Sequence, residues 1–275
     1  DLHPRETKNG GAWMTCYRTQ GLNKKGFIER PLVSIVANLT PSTEETPALL
    51  TFDEVRTIFH EFGHALHGML SNVTYKALAS PKVYWDFVEL PSQIMENWLN
   101  EKETLNLFAF HYQTGEAIPD GLVDKINNAR AFNSGILGLR QISLGILDMA
   151  WHTGKPKNDS IEEFEDSVIK KTRLLPKIEG TTISCNLGHI FAGGYSAGYY
   201  SYKWAEVLDA DAFEYFKKNG IFNQDIAKSF SISLSTVNRE LTGNSDCEVH
   251  TFWRGYLIGR WCLEILQREG HLSCV

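Results

Sequence analysis

The sequence is short of three things: paired cysteines, surplus positive charge and long apolar runs. Its cysteines number five, an odd count, and Cys16, Cys185, Cys247, Cys262 and Cys274 never stand at the spacing of a zinc ribbon or a CxxC redox pair. Free thiols in a reducing compartment are therefore expected, not a disulfide framework. Lys and Arg total 27 against 33 Asp and Glu, a formal charge of −6, which is the wrong sign for gripping phosphates. No nucleic-acid partner is expected. The longest apolar stretch, residues 136–151, is interrupted by Arg140, Gln141 and Asp148 and falls short of a bilayer-spanning segment, so no membrane partner is expected either. What is present is the composition of a globular protein, 43% hydrophobic and 22% charged, in a chain of 275 residues long enough to bury a substantial core.

The first 50 residues are rich in Gly, Pro, Asn and Thr, which suits loops and short strands, and the β-branched run Leu32–Leu39 is the best strand candidate. At Thr51 the character changes. Thr51 and Glu54 form a capping-box pattern, followed by apolar residues at Val55, Ile58, Phe59, Phe62, Leu66 and Leu70, which is helical spacing. Further helices are expected at about 87–101, 104–114, 121–151, 160–173, 195–208, 210–218 and 223–235, with a Gly-containing loop over 177–194. The expected fold class is mainly α, with a small β element near the N-terminus.

The helix opened by Thr51 carries His60-Glu61-Phe62-Gly63-His64. Histidines at i and i+4 project from one helix face, one turn apart, so both imidazoles can reach a single tetrahedral Zn²⁺. Glu61 then lies beside the metal, where it can take a proton from a water. Burying two His and a Glu between Phe59 and Phe62 without a partner would be costly, which weakens the reading of an accidental pattern. A catalytic zinc needs a third protein ligand and an open position. His67 is a poor candidate, because residues 65–70 continue the helix past His64. An acid on a following helix suits better, and spacing leaves Asp86, Glu89 and Glu96 open.

HEFGHALHGML, followed by Glu89 in DFVELPSQIMENW, resembles the thimet oligopeptidase family of zinc metallopeptidases. GGAWMT (10–15) and the run RPLVSIVANLT…PALLTFDEV are similar to the family's approach to its zinc helix, and HIFAGGYSAGYYSYKWAEVLDADAF (189–213) is similar to its dipeptidyl carboxypeptidase branch. The resemblance covers residues 1–230. It implies a zincin-type helical catalytic domain, one Zn²⁺ bound by His60, His64 and Glu89, and Glu61 as general base and proton shuttle. Asp86 is implied more weakly, as a group orienting a liganding histidine. It further implies a Gly-rich loop closing over substrate, with His189, Tyr195 and Tyr202 stabilising the oxyanion and Gly193, Gly194 and Tyr199 binding substrate. Tyr195 and Tyr202 stand seven apart, two helical turns, so their hydroxyls are expected on one face.

The implied activity is hydrolysis of short peptides by a monomer, releasing dipeptides from free C-termini. The alternatives are endo-acting cleavage, or a fragment that binds zinc and peptides without turnover. The sequence starts at Asp1 like the middle of something longer, and the family resemblance implies a C-terminal catalytic portion. A cytoplasmic location is expected, with the periplasm as alternative. Two stretches depart from the family: Ala79-Ser80-Pro81 stands where Ser-Gly-Thr is usual, and residues 231–275 form a divergent tail to which no functional residue is carried over.

Overall fold

The computed structural model describes residues 1–154 and 160–223. Two antiparallel strands, β1 (Trp13–Arg18) and, later in the chain, a partner (Leu32–Val36), pair Trp13 with Val36 and Met14 with Ile35. Between them lie β2 (Gly21–Leu22) and β3 (Ile28–Glu29), a short second ladder, so the Leu32–Val36 strand is β4. The strand expected over 32–39 is thus real but stops at Val36. Met14, Val33 and Ile35 face the helical core, and the ladder shields one side of it.

Helix α1 (Phe52–Met69) starts at Thr51, where the capping box is complete: the Thr51 hydroxyl accepts from the Glu54 amide at 3.3 Å and Glu54 Oε2 accepts from the Thr51 amide at 2.8 Å. Glu54 Oε1 also accepts from the Thr40 amide and hydroxyl at 2.6 and 2.7 Å, which ties the strand's exit to the helix's first turn. The helix buries Val55, Ile58, Phe59, Phe62 and Ala65 against the second half of the core. There Trp98 meets Phe213 and Phe216 edge-on, with ring centroids 4.8 and 5.1 Å apart, and donates its indole N–H to the Ile221 carbonyl at 3.1 Å. Each such buried side chain stabilises the fold by roughly 1.5–3 kcal/mol.

Several expected helices differ in extent. The helix expected over 87–101 is broken into α2 (Trp85–Val88), α3 (Leu90–Asn97) and a 3₁₀ turn at Trp98–Asn100. Pro91 lies in the first turn of α3, where its missing N–H costs nothing, and Glu89 sits at the joint. Of the helix expected over 104–114, only Thr104 and Leu105 are helical, at the end of α4 (Lys102–Leu105). Beyond it the chain turns back on itself, pairing Phe110 with Ala117 through Gly115 at φ +71°. The stretch 121–151 is two helices, α5 (Asp120–Phe132) and α6 (Ser134–His152), separated at Asn133. α7 (Ile161–Ile169) is shorter than expected, and α8 (Gly188–Phe191) adds one turn inside the expected loop. The helices expected over 195–208 and 210–218 are a single α9 (Ser201–Asn219), with residues 195–200 forming turns before it. The helix expected over 223–235 and the tail 231–275 lie outside the described residues.

Among the described residues, no helix is long and apolar enough to cross a membrane, and Cys16 and Cys185 are free thiols.

Where α3 packs on α9, Asn97 Nδ2 donates to the buried Asp209 Oδ1 at 3.0 Å. Burial, aided by the negative charges of Glu96 and Glu206, raises the Asp209 pKa from the ordinary 3.8 to about 7, and the Asn97 bond offsets only part of this. The folded state therefore holds a proton that the unfolded chain has already lost. Stability should fall as pH rises from about 4 to about 7 and level off above that. Asp209→Asn should flatten this slope and raise the urea midpoint at pH 8. Identical pH profiles for the two proteins would show that Asp209 is not the cause.

Candidate active site

One turn of α1 and the joint between α2 and α3 bring three potential ligands together. His60 Nε2 and His64 Nε2 each lie 3.3 Å from Glu89 Oε2, and the two imidazoles stand edge to face with centroids 4.9 Å apart. Two ligands on a tetrahedral ion at bond lengths of about 2.0–2.2 Å are roughly 3.3–3.6 Å apart, so these contacts are near the edges of such a tetrahedron. Two imidazole nitrogens and one carboxylate oxygen, all within 4.8 Å of one another, are a donor set suited to zinc.

Gly63 makes this approach possible. A Cβ added there would lie 2.2 Å from the Pro91 carbonyl oxygen and 2.6 Å from Ser92 Cα, so any side chain would push α3, and Glu89 with it, away from the histidines.

The carboxylate that orients a histidine is Glu96. Its Oε1 lies 2.7 Å from His60 Nδ1, leaving Nε2 directed at Glu89. Asp86, the group the resemblance implies for orienting a histidine, has a buried Oδ1 with no hydrogen-bond partner among the described residues. Ser92 Oγ lies 2.8 Å from both the carbonyl and Oε2 of Glu89, and Tyr195 donates its hydroxyl to Oε1. Burial by itself would lower the His60 pKa, but the hydrogen bonds to Glu89 and Glu96 override it and push the value up to about 10. Burial likewise works against charge on Glu89, and the two histidines hold its carboxyl well below the usual range. His67, one turn beyond His64, packs edge-on against Phe87 and stays outside the trio; burial, then the charge of His64, pushes its pKa down to about 3.

Glu61 is 6% exposed, and its Oε2 has no hydrogen-bond partner among the described residues. Burial, joined by the charge of Glu89 and opposed by His60 and His64, raises its pKa. An unpaired buried carboxylate oxygen is costly, and a proton donor brought to this point would remove that cost.

The expected tyrosines and His189 form a cluster on the far side of Glu89. The Tyr195 and Tyr202 rings stack with centroids 5.2 Å apart, and the His189 ring lies 5.9 Å from Tyr195 and 6.4 Å from Tyr202. They do not meet by helical periodicity, as expected from their spacing. Tyr195 lies in the turns before α9 and Tyr202 in its first turn, so folding of the backbone brings them together. Burial first, then the negative charge of Glu89, holds both hydroxyls protonated far above their ordinary range. Tyr199 is buried against Leu144, Leu187 and Ile190. Gly193 and Gly194 are exposed: a Cβ on Gly193 would lie 2.8 Å from His189 Cα, and Gly194 takes φ +88° beside the Trp85 ring.

Three contributors had no motif to announce them. Trp85 packs on the Tyr195 ring at 4.4 Å; Glu165 is buried and accepts from the amides of Ile183 and Ser184; and Asp148 accepts from those of Ala197 and Tyr199. Only Asp148 left a trace, as a charged residue inside an apolar stretch.

Residues 1–232 match the pattern of peptidase family M3, and the chain belongs to that family of zinc-dependent metallopeptidases. It is 44% identical over 220 residues to a probable cytosolic oligopeptidase A of Arabidopsis thaliana, covering 78% of this chain and 31% of that protein. With oligopeptidase A of Escherichia coli it shares 41% over 233 residues, 84% of this chain and 34% of the relative. With the dipeptidyl carboxypeptidase of the same bacterium it shares 36% over 262 residues, 93% and 37% respectively. The chain thus spans about a third of the length of these relatives.

Gly63→Ala tests the helix contact on which the site depends. Alanine gains up to about 1 kcal/mol in helix propensity, but its overlap with a backbone carbonyl cannot be relieved by rotating a side chain. A net loss of about 1–3 kcal/mol is expected in urea unfolding. An unchanged midpoint would mean that α1 and α3 do not lie this close.

Proposed function

We propose that this chain hydrolyses peptide bonds in short peptides, with His60, His64 and Glu89 holding one zinc ion. The observation that carries the reading is the unpaired Oε2 of buried Glu61 beside three converging ligand atoms. Zinc bound there would supply a Lewis acid that polarises the scissile carbonyl and acidifies a water. Glu61 accepts that water's proton and later passes it to the leaving amine. Tyr195 and Tyr202 donate to the carbonyl oxygen as it gains negative charge, and His189 stands beside them as a further donor. Tyr195 gives its hydrogen bond to Glu89 in the free chain, so engaging substrate means redirecting one O–H.

Two specificities are compatible with this chemistry. Endo-cleavage is supported by the higher identity to the oligopeptidases A, and dipeptide release from free C-termini by the longer match to a dipeptidyl carboxypeptidase. Paired peptides with free and amidated C-termini discriminate between them: equal cleavage supports the endopeptidase, and loss on amidation the exopeptidase. A chain that takes up one zinc but cleaves neither peptide would be a binding fragment whose turnover depends on further residues.

Glu61→Gln should lower kcat by roughly 10²–10⁴-fold while zinc content stays at one per chain. Unchanged turnover would overturn the assignment of Glu61. Glu96→Gln should weaken zinc binding by roughly 10–100-fold, read by competition with a chelating dye. Equal affinity in the variant and the parent would remove Glu96 from the metal site.

A further inference from the structure

Asp148 lies in α6, outside the metal trio and the tyrosine cluster, yet it is fully buried. Its two oxygens divide their work. Oδ1 accepts from the Ala197 amide and Oδ2 from the Tyr199 amide, each at 2.9 Å, across 49 and 51 residues of chain. His152, one turn along α6, places Nδ1 2.8 Å from Asp148 Oδ1 and 2.9 Å from the Asp148 carbonyl. Both neighbours are acceptors, so Nδ1 carries the proton. The His152 ring also contacts the ring of Phe191, in the helical turn that bears His189.

The amides that Asp148 holds flank an unusual backbone. Ala197 has φ +55°, a left-handed conformation that an alanine rarely keeps without a fixed partner. This turn carries Tyr195 two residues before Ala197 and runs directly into the helix bearing Tyr202. We propose that Asp148, steadied by His152, is a positioning residue that holds the 195–199 turn so that Tyr195 points at Glu89 and stacks on Tyr202. The inference rests on the reading of Tyr195 and Tyr202 as donors to the carbonyl oxygen, and it gives that reading a structural cause. A carboxylate suits this task because both its oxygens accept. Asparagine would meet one amide with an oxygen and the other with an NH₂ group.

The test compares Asp148→Asn with the parent 275-residue chain. Hydrogen exchange in 195–202 should rise at least tenfold while exchange in α1 stays unchanged. On a fluorogenic short peptide, kcat should fall about 10–100-fold, with KM within threefold and zinc content unaltered. Tyr195→Phe should cost tenfold or more in the parent and less than threefold in the Asp148→Asn background, because the hydroxyl is already misplaced there. His152→Ala should show a weaker form of the same pattern and His152→Asn, which keeps a donor near the Nδ1 position, should recover most of it; this pair serves if Asp148→Asn does not fold.

Unchanged exchange in 195–202, or an equal rise there and in α1, would overturn the proposal. So would a full-sized Tyr195→Phe effect in both backgrounds. A local rise in exchange with no cost of Tyr195→Phe in the parent would keep the anchor and remove the donor role of Tyr195. If the chain cleaves no peptide, exchange alone decides.

Discussion

The close approach of α1 and α3 at Gly63 is the contact on which the site depends. Without a side chain there, the Pro91 carbonyl and Ser92 come within reach of the first helix's backbone, and the joint at Glu89 is carried up to His60 and His64. The capping box fixes where α1 begins, so it also fixes which face presents the histidines. Ser92, Glu96 and Tyr195 then secure the ligands from three other directions. The convergence of His60, His64 and Glu89 is thus a property of one helix–helix contact, with the hydrogen bonds around it refining the aim.

The same contact creates an electrostatic demand. Glu61, Glu89 and Glu96 crowd two imidazoles in a largely buried space, and Glu89 is 1% exposed. Such a group of carboxylates requires positive charge nearby. In the metal-free chain a doubly protonated His60, with Nε2–H toward Glu89 and Nδ1–H toward Glu96, is the group placed to supply it. A divalent cation answers the same demand with the histidines neutral.

Much of this was legible in the sequence where chemistry and period coincide. The Thr51–Glu54 cap and the i, i+4 histidines predict a helix with two imidazoles on one face from local pattern alone, and the structure has that helix with both imidazoles beside Glu89. The choice among Asp86, Glu89 and Glu96 was not legible by spacing. The helix that would have placed Glu89 and Glu96 on related faces breaks at Glu89, which sends the two carboxylates to different nitrogens of His60. Tyr195 and Tyr202 teach the same lesson. Their seven-residue interval reads as two helical turns, whereas the rings meet through a turn pinned by Asp148. Periodicity predicts contacts made along one element. It is silent on those made by a distant buried acid, and the helix start expected at 195 failed where Asp148 holds the turn.

The reach of the Tyr195–Glu89 hydrogen bond has a consequence for how the site is assembled. Closing His60 onto Glu89 joins residues 29 apart, whereas Tyr195 joins Glu89 across 106. For flexible chains the longer closure costs about 1 kcal/mol more in lost freedom. The ligand trio is therefore the entropically cheaper half, made by neighbours in the chain. The tyrosine wall is a distant recruit, held in place by bonds that α6 provides.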